Sequence, residues 1–235
     1  MKYVFAGDSW ALKGYTNENY QTHRDSIPMP GDVRMADHWG MEYQLALAQG
    51  RGNLSVLDKI IKTVTSESQP IIWIWTEPGR DYGKITGDAE FNWLMSEEIF
   101  AIRNQLTQTT IQTIKQTIKN PIAFVGGLSD IDPSLAYEFG YSTIHPSWQR
   151  WIAEKLGSRH FNFGWGACDV GWRAVHHKVT PSKNAAFAWD EQIKEWCWWE
   201  EEGYFCHEHP TPRANAEFAA YLLPQVETWL KKHEK

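Results

Sequence analysis

At 235 residues the chain suits one α/β domain able to bury a sizeable core, and its formal net charge of -6 argues against a nucleic-acid partner, which would need a basic face. Its three cysteines, Cys168, Cys197 and Cys206, have no CxxC spacing and make no disulfide framework. The opening residues have no apolar stretch of signal-peptide length, and the apolar runs, such as Ile71–Trp75, are too short to cross a bilayer, so a cytoplasmic protein with no membrane partner is expected.

The sequence begins MKYVFAGDSW. The apolar run from Tyr3 to Ala6, ending on Gly7, is short and contains Val4 and Phe5, which predicts a buried strand. Ser9 then falls just past the carboxyl end of that strand, where ligands bind in open α/β sheets. Residues 13–40 are polar and rich in Pro, Gly and Asp, and read as a long irregular excursion. Residues 41–49 carry a short strand or helix, with LALAQ reading as strand. Gly50, Arg51 and Gly52 break it, and Asn53 or Ser55 can cap a helix with apolar positions Leu57, Ile60, Ile61 and Val64.

IIWIW after Pro70 is the plainest strand, closed by the turn Thr76-Glu77-Pro78-Gly79-Arg80. Apolar residues recurring every three to five positions over 88–119 predict one long or broken amphipathic helix, stopped at Asn120-Pro121. IAFVGG from Ile122 is another buried strand. Alternation of strands and helices implies a parallel sheet with helices on both faces. Over 129–202 the rhythm is lost. Prolines, glycines and many of the fourteen tryptophans suggest an aromatic-rich insertion, with helices near 147–156 and 186–202 and a short strand at FNFGW from Phe161. Thr211 is a suitable N-cap and Pro212 a suitable first-turn residue for a last helix. Phe218, Leu222, Val226, Trp229 and Leu230 form its apolar stripe, and Lys231 and Lys232 lie at its negative end.

The pairing of Gly7-Asp8-Ser9-Trp10 after the first strand with His209-Pro210-Thr211 before the last helix resembles the SGNH (GDSL-type) hydrolase superfamily. The resemblance implies a single domain over 1–235, of three-layer α/β/α, flavodoxin-like architecture, with a short five-stranded parallel sheet and the insertion at about 129–202. It implies that Ser9 is the nucleophile of an ester hydrolase and His209 its general base and acid. A serine hydroxyl is a poor nucleophile until an adjacent imidazole takes its proton. Oxyanion donors expected from the resemblance are the N–H of Ser9, the glycine Gly52 (or Gly50), and, where the family has an asparagine, Thr76, with Glu77 as the other residue at that point. Asn53 is an alternative donor, although helix capping is its ordinary role. Asp8, Trp10, Glu77 and Arg80 are expected to line the site.

The chain departs from the family's DxxH motif, whose aspartate orients the imidazole. In YFCHEHPT that place holds Cys206, and neither it nor His207 is a carboxylate, leaving a Ser-His dyad or another carboxylate such as Glu208, Asp169 or Asp190. The expected substrate is a small-molecule or glycan ester, and no cofactor is expected. The chain also resembles compact GDS-type proteins of bacteriophages. Two other readings stand beside the hydrolase: a non-catalytic binding or structural protein with a degenerate site, and a metal-binding protein using Cys206, His207 and His209.

Overall fold

A computed structural model describes residues 2–8, 11, 14, 33–48, 52–76, 97–127, 131, 134–156, 185–190, 195–200, 204–206 and 209–234. Five strands form an all-parallel sheet: β1 (Tyr3–Gly7), β2 (Tyr43–Leu47), β3 (Ile71–Trp75), β4 (Ile122–Gly126) and β5 (Ser142–His145), in the order β2-β1-β3-β4-β5. The helices are α1 (Asn53–Thr63), α2 (Glu97–Thr117), α3 (Ser134–Phe139), α4 (Trp148–Leu156) and α5 (Pro212–Lys232), and a 3-10 turn spans Met35–Trp39. Crossover helices between parallel strands make this an α/β fold.

The strand runs are apolar because both faces of the sheet are covered. Every residue of β1, β3 and β4 is buried. Alternate side chains feed two separate apolar clusters. Tyr3, Phe5, Ile72, Ile74, Ala123 and Val125 pack with α4 and with Phe218, Leu222 and Val226 of α5. Val4, Ala6, Ile71, Trp73, Trp75 and Phe124 pack on the other side with Val56, Leu57 and Ile60 of α1 and Ile111 and Ile114 of α2. Trp73, Trp75 and Phe124 meet there as a compact aromatic group, with ring centroids 5.3–5.6 Å apart.

Several expectations change in the structure. Ile61, placed on the apolar face of α1, is 46% exposed, because it lies about 100° round the helix from the buried Ile60. The cap of α1 is Gly52 rather than Asn53 or Ser55. The fifth sheet strand, Ser142–His145, falls inside the stretch read as an insertion, whereas the strand expected at Phe161 lies outside the described residues. The helix expected near 186–202 is an antiparallel ribbon of β6 (Ala185–Asp190) and β7 (Glu195–Glu200). Its register sets Phe187 opposite Trp198 and Trp189 opposite Trp196, a period of two that suits bulky aromatics on a pleated surface. No helix among the described residues is long and apolar enough to cross a membrane.

The α5 stripe is fully inside: Phe218, Leu222 and Val226 have no exposed area, and Trp229 and Leu230 only 6% each. Leu222→Ala is therefore expected to lower unfolding stability by about 2–5 kcal/mol. Ala220→Ser, on the exposed side of the same helix, should stay within about 0.5 kcal/mol, both read from urea midpoints.

Candidate functional site

The carboxyl ends of β1 and β3 lie side by side, and a buried polar network joins them. Asp8, 1% exposed, follows β1, and Thr76, 2% exposed, follows β3. The Thr76 hydroxyl donates to Asp8 Oδ2 at 2.5 Å. Asn53, fully buried in the first turn of α1, clasps the Thr76 backbone from the other direction: its amide nitrogen donates to the Thr76 carbonyl at 2.9 Å, and its side-chain oxygen accepts from the Thr76 N–H at 3.1 Å. The capping role expected of Asn53 therefore gives way to a bond between α1 and β3. The Thr76 hydroxyl has one hydrogen, and it points to Asp8.

Gly7 and Gly14 admit contacts that no larger residue would. A β-carbon on Gly7 would lie 2.6 Å from the Ala11 β-carbon and 3.0 Å from that of Ile74. The Ala11 N–H closes a turn onto the Asp8 carbonyl at 3.1 Å, so the chain folds back directly after β1. Five residues past Ser9, Gly14 presses on the start of α5: a β-carbon there would sit 2.3 Å from the nitrogen and α-carbon of Pro212. Gly14 thus touches Thr211 and Pro212, the residues that open α5.

His209 belongs to a short antiparallel pair, β8 (Phe205–Cys206) with β9 (His209–Pro210). The Thr211 N–H donates to the Tyr204 carbonyl at 3.1 Å and extends the pairing, while the Thr211 hydroxyl accepts from the Ala214 N–H at 3.2 Å and caps α5 as expected. The antiparallel pairing therefore brings the chain back on itself between Cys206 and His209.

A charged cluster holds this hairpin to α5. Tyr204 donates to Glu217 Oε2 at 2.8 Å. Arg213 donates to Glu217 Oε1 at 2.9 Å and stacks its guanidinium over the Tyr204 ring, and Lys155 of α4 reaches Glu217 Oε2 at 2.7 Å. The hydrogen bond from Lys155, then those from Arg213 and Tyr204, hold the Glu217 carboxyl down at about 2 against the desolvation that opposes them. Reading the sequence missed this cluster, since Lys155, Tyr204 and Glu217 share no motif spacing. It also missed Asn215, fully buried one turn into α5, whose amide nitrogen and oxygen have no hydrogen-bond partner among the described residues.

Of the residues expected to form the site, Asp8, Asn53 and Thr76 are brought together, and Gly52 caps the helix beside them. Ser9, Trp10, Gly50, Glu77, Arg80, Asp169, His207 and Glu208 lie outside the described residues. Asp190 closes β6. Among the described residues no three His, Cys, Asp or Glu side chains gather as for a metal ion. No family model matches the chain, and no curated protein or solved structure matches it either.

Gly14→Ala should destabilise the fold by about 1–3 kcal/mol, because backbone atoms of Pro212 cannot yield as a side-chain tip would. This is measurable as a lowered urea midpoint. Because Glu217 titrates lower in the folded chain than in the unfolded one, its contribution is complete above about pH 4.5 and is lost as the pH falls through about 2. Thermal scans across that window should fall more steeply for the wild type than for Glu217→Gln.

Proposed function

We propose that the protein is a serine ester hydrolase of the SGNH (GDSL-type) kind, in which Ser9 attacks the ester and His209 serves as base and then acid. The observation that carries the reading is the close approach of Gly14, which follows Ser9 by five residues, to Pro212, which follows His209 by three. The strand order supports the three-layer, flavodoxin-like part of the proposal. An order of 2-1-3-4-5 has its switch point between β1 and β3, and ligands of such sheets sit at the carboxyl side of that crevice. Asp8 and Thr76 lie there.

In the proposed reaction the His209 imidazole takes the Ser9 hydroxyl proton as the oxygen bonds to the ester carbonyl carbon. The developing oxyanion is met by the N–H groups of Ser9 and Gly52. Gly52 is extended and without a β-carbon, so a substrate carbonyl can approach its backbone closely. Thr76, whose hydroxyl hydrogen is directed at Asp8, acts as a brace for the two strand ends and leaves oxyanion binding to the backbone. The protonated imidazole returns its proton to the departing alcohol, and water then cleaves the acyl-enzyme by the same path in reverse. The substrate class is a small-molecule or glycan ester. The tryptophan load of the chain favours the glycan, because indole faces bind sugar rings.

A second reading is a non-catalytic binding protein of the same fold, favoured by Cys206 standing where an orienting carboxylate is expected. A fluorophosphonate probe and short-chain p-nitrophenyl esters separate the two. The hydrolase should be labelled at Ser9, lose labelling in Ser9→Ala, and lose at least about a hundredfold in ester turnover in His209→Ala. Absence of labelling throughout about pH 6–9, the range over which an ordinary imidazole goes from mostly protonated to neutral, would leave the binding protein.

A further inference from the structure

The end of the sheet opposite the crevice carries two adjoining clefts. Lys2 precedes β1, Pro70 precedes β3, Pro121 precedes β4 and Tyr141 precedes β5, so these residues mark the amino-terminal ends of the strands. One cleft, of about 420 Å³, is bordered there by Lys2, Gln44, Ser66, Ser68 and His233 among others. The second, of about 360 Å³, is bordered by Lys115, Lys119, Asn120, Tyr141 and again His233. The Asn120 amide ties the two walls together, donating to the Ser66 carbonyl at 2.7 Å and to the Gln69 carbonyl at 2.8 Å.

The chain has a net charge of -6, yet no carboxylate is among the described residues lining either cleft. Lys2, Lys115 and Lys119 are exposed, and none of their ammonium groups pairs with a carboxylate among the described residues. Lys115 is steadied over the Phe139 ring, 4.9 Å from its centroid. The neutral groups are also set to donate. The Gln44 side-chain oxygen is taken by the Gln69 amide at 2.6 Å, which leaves the Gln44 NH2 group as a donor. The Ser66 and Ser68 hydroxyls lie 3.3 Å apart, close enough to serve one shared acceptor. Helices α1, α2 and α5 end near this rim, each with a partial negative charge of about one half, and three full ammonium charges outweigh them. A third cleft, bordered by Glu42, Glu227 and Glu234 with Lys231, has the opposite character, and its lysine is 3.6 Å from Glu227.

We propose that the two clefts form one binding site for a small polyanion of the oligophosphate or phosphorylated-metabolite class. One anionic group would sit among Lys2, Gln44, Ser66 and Ser68, and the next would lie past His233 toward Lys119 and Lys115. A lysine ammonium acts on phosphate as a compact point charge, and the amide and hydroxyl donors supply direction. The five-residue strands set this site about 15 Å from the crevice, so it involves neither Ser9 nor His209 and does not rest on the hydrolase reading.

The test is calorimetric titration of the full chain with inorganic tripolyphosphate, with ionic strength held at about 0.15 M so that diffuse attraction is screened. One-to-one binding with a Kd below about 1 mM is expected. Lys2→Gln/Lys119→Gln should weaken it at least about tenfold, the loss expected when charge-assisted bonds are removed. Lys231→Gln, in the acidic cleft, should leave it unchanged. All three lysines are exposed, so these variants should keep the parent's urea midpoint. A Kd above about 1 mM overturns the proposal, as does a double variant that binds as tightly as the parent or an equal loss in Lys231→Gln. Binding retained in a Ser9→Ala chain keeps this site separate from the hydrolase reading, and binding lost there overturns it.

Discussion

The arrangement rests on a backbone-to-backbone contact between positions nearly two hundred residues apart. Gly14 and Pro212 approach so closely that no side chain fits between them, and this fixes where Gly14 meets the start of α5. Other contacts agree with that docking. The Trp39 indole donates to the Ala219 carbonyl at 3.0 Å, tying the 3-10 turn to α5 in the middle of the helix. The rings of Phe218 and Tyr221 meet His145 edge-on, at centroid distances of 5.6 and 5.3 Å, so α5 also engages the edge strand β5. The hairpin of His209 inherits its position from this helix through Thr211 and the Glu217 cluster.

On the opposite side of the crevice, rigidity comes from polar groups. Asp8, Thr76 and Asn53 are almost wholly removed from water, where an unmatched polar group is costly and a matched one is strongly directional. Their bonds join β1, β3 and the first turn of α1, so three separate chain segments share one geometry at the strand ends. A site at this rim would have a stiff floor made by side chains and a wall made by the α5 docking. Such an arrangement holds the strand ends through the scaffold and not through the loops.

How much of this was legible depended on how local the signal was. β1, β3 and β4 are uninterrupted apolar runs bounded by glycine or proline, and α5 carries a proper cap and a stripe at helical spacing, so each is written in adjacent residues. β5 is not: Ser142, Thr143 and Ile144 on a half-buried edge strand make no apolar run. The β6–β7 ribbon was hidden by its own richness in tryptophan and alanine, which suits a helix as readily as the alternation suits a strand. At the site, the residues flanking the crevice could be named from motif and order. The partnerships of Asp8 with Thr76, of Asn53 with Thr76 and of Lys155 with Glu217 could not, because side-chain pairing across 23 to 68 residues leaves no spacing to read.

The placement of α5 has a consequence for how the chain is made. Strand β1 lies inside the sheet, and one of its faces, with those of β3 and β4, is covered by a helix translated some ninety residues after β4. At ordinary elongation rates the apolar side chains Tyr3, Phe5, Ile72, Ile74 and Val125 wait on the order of ten seconds on the ribosome before their cover exists. Until the last helix emerges, this face of the nascent sheet has only the 3-10 turn and α4 to cover it.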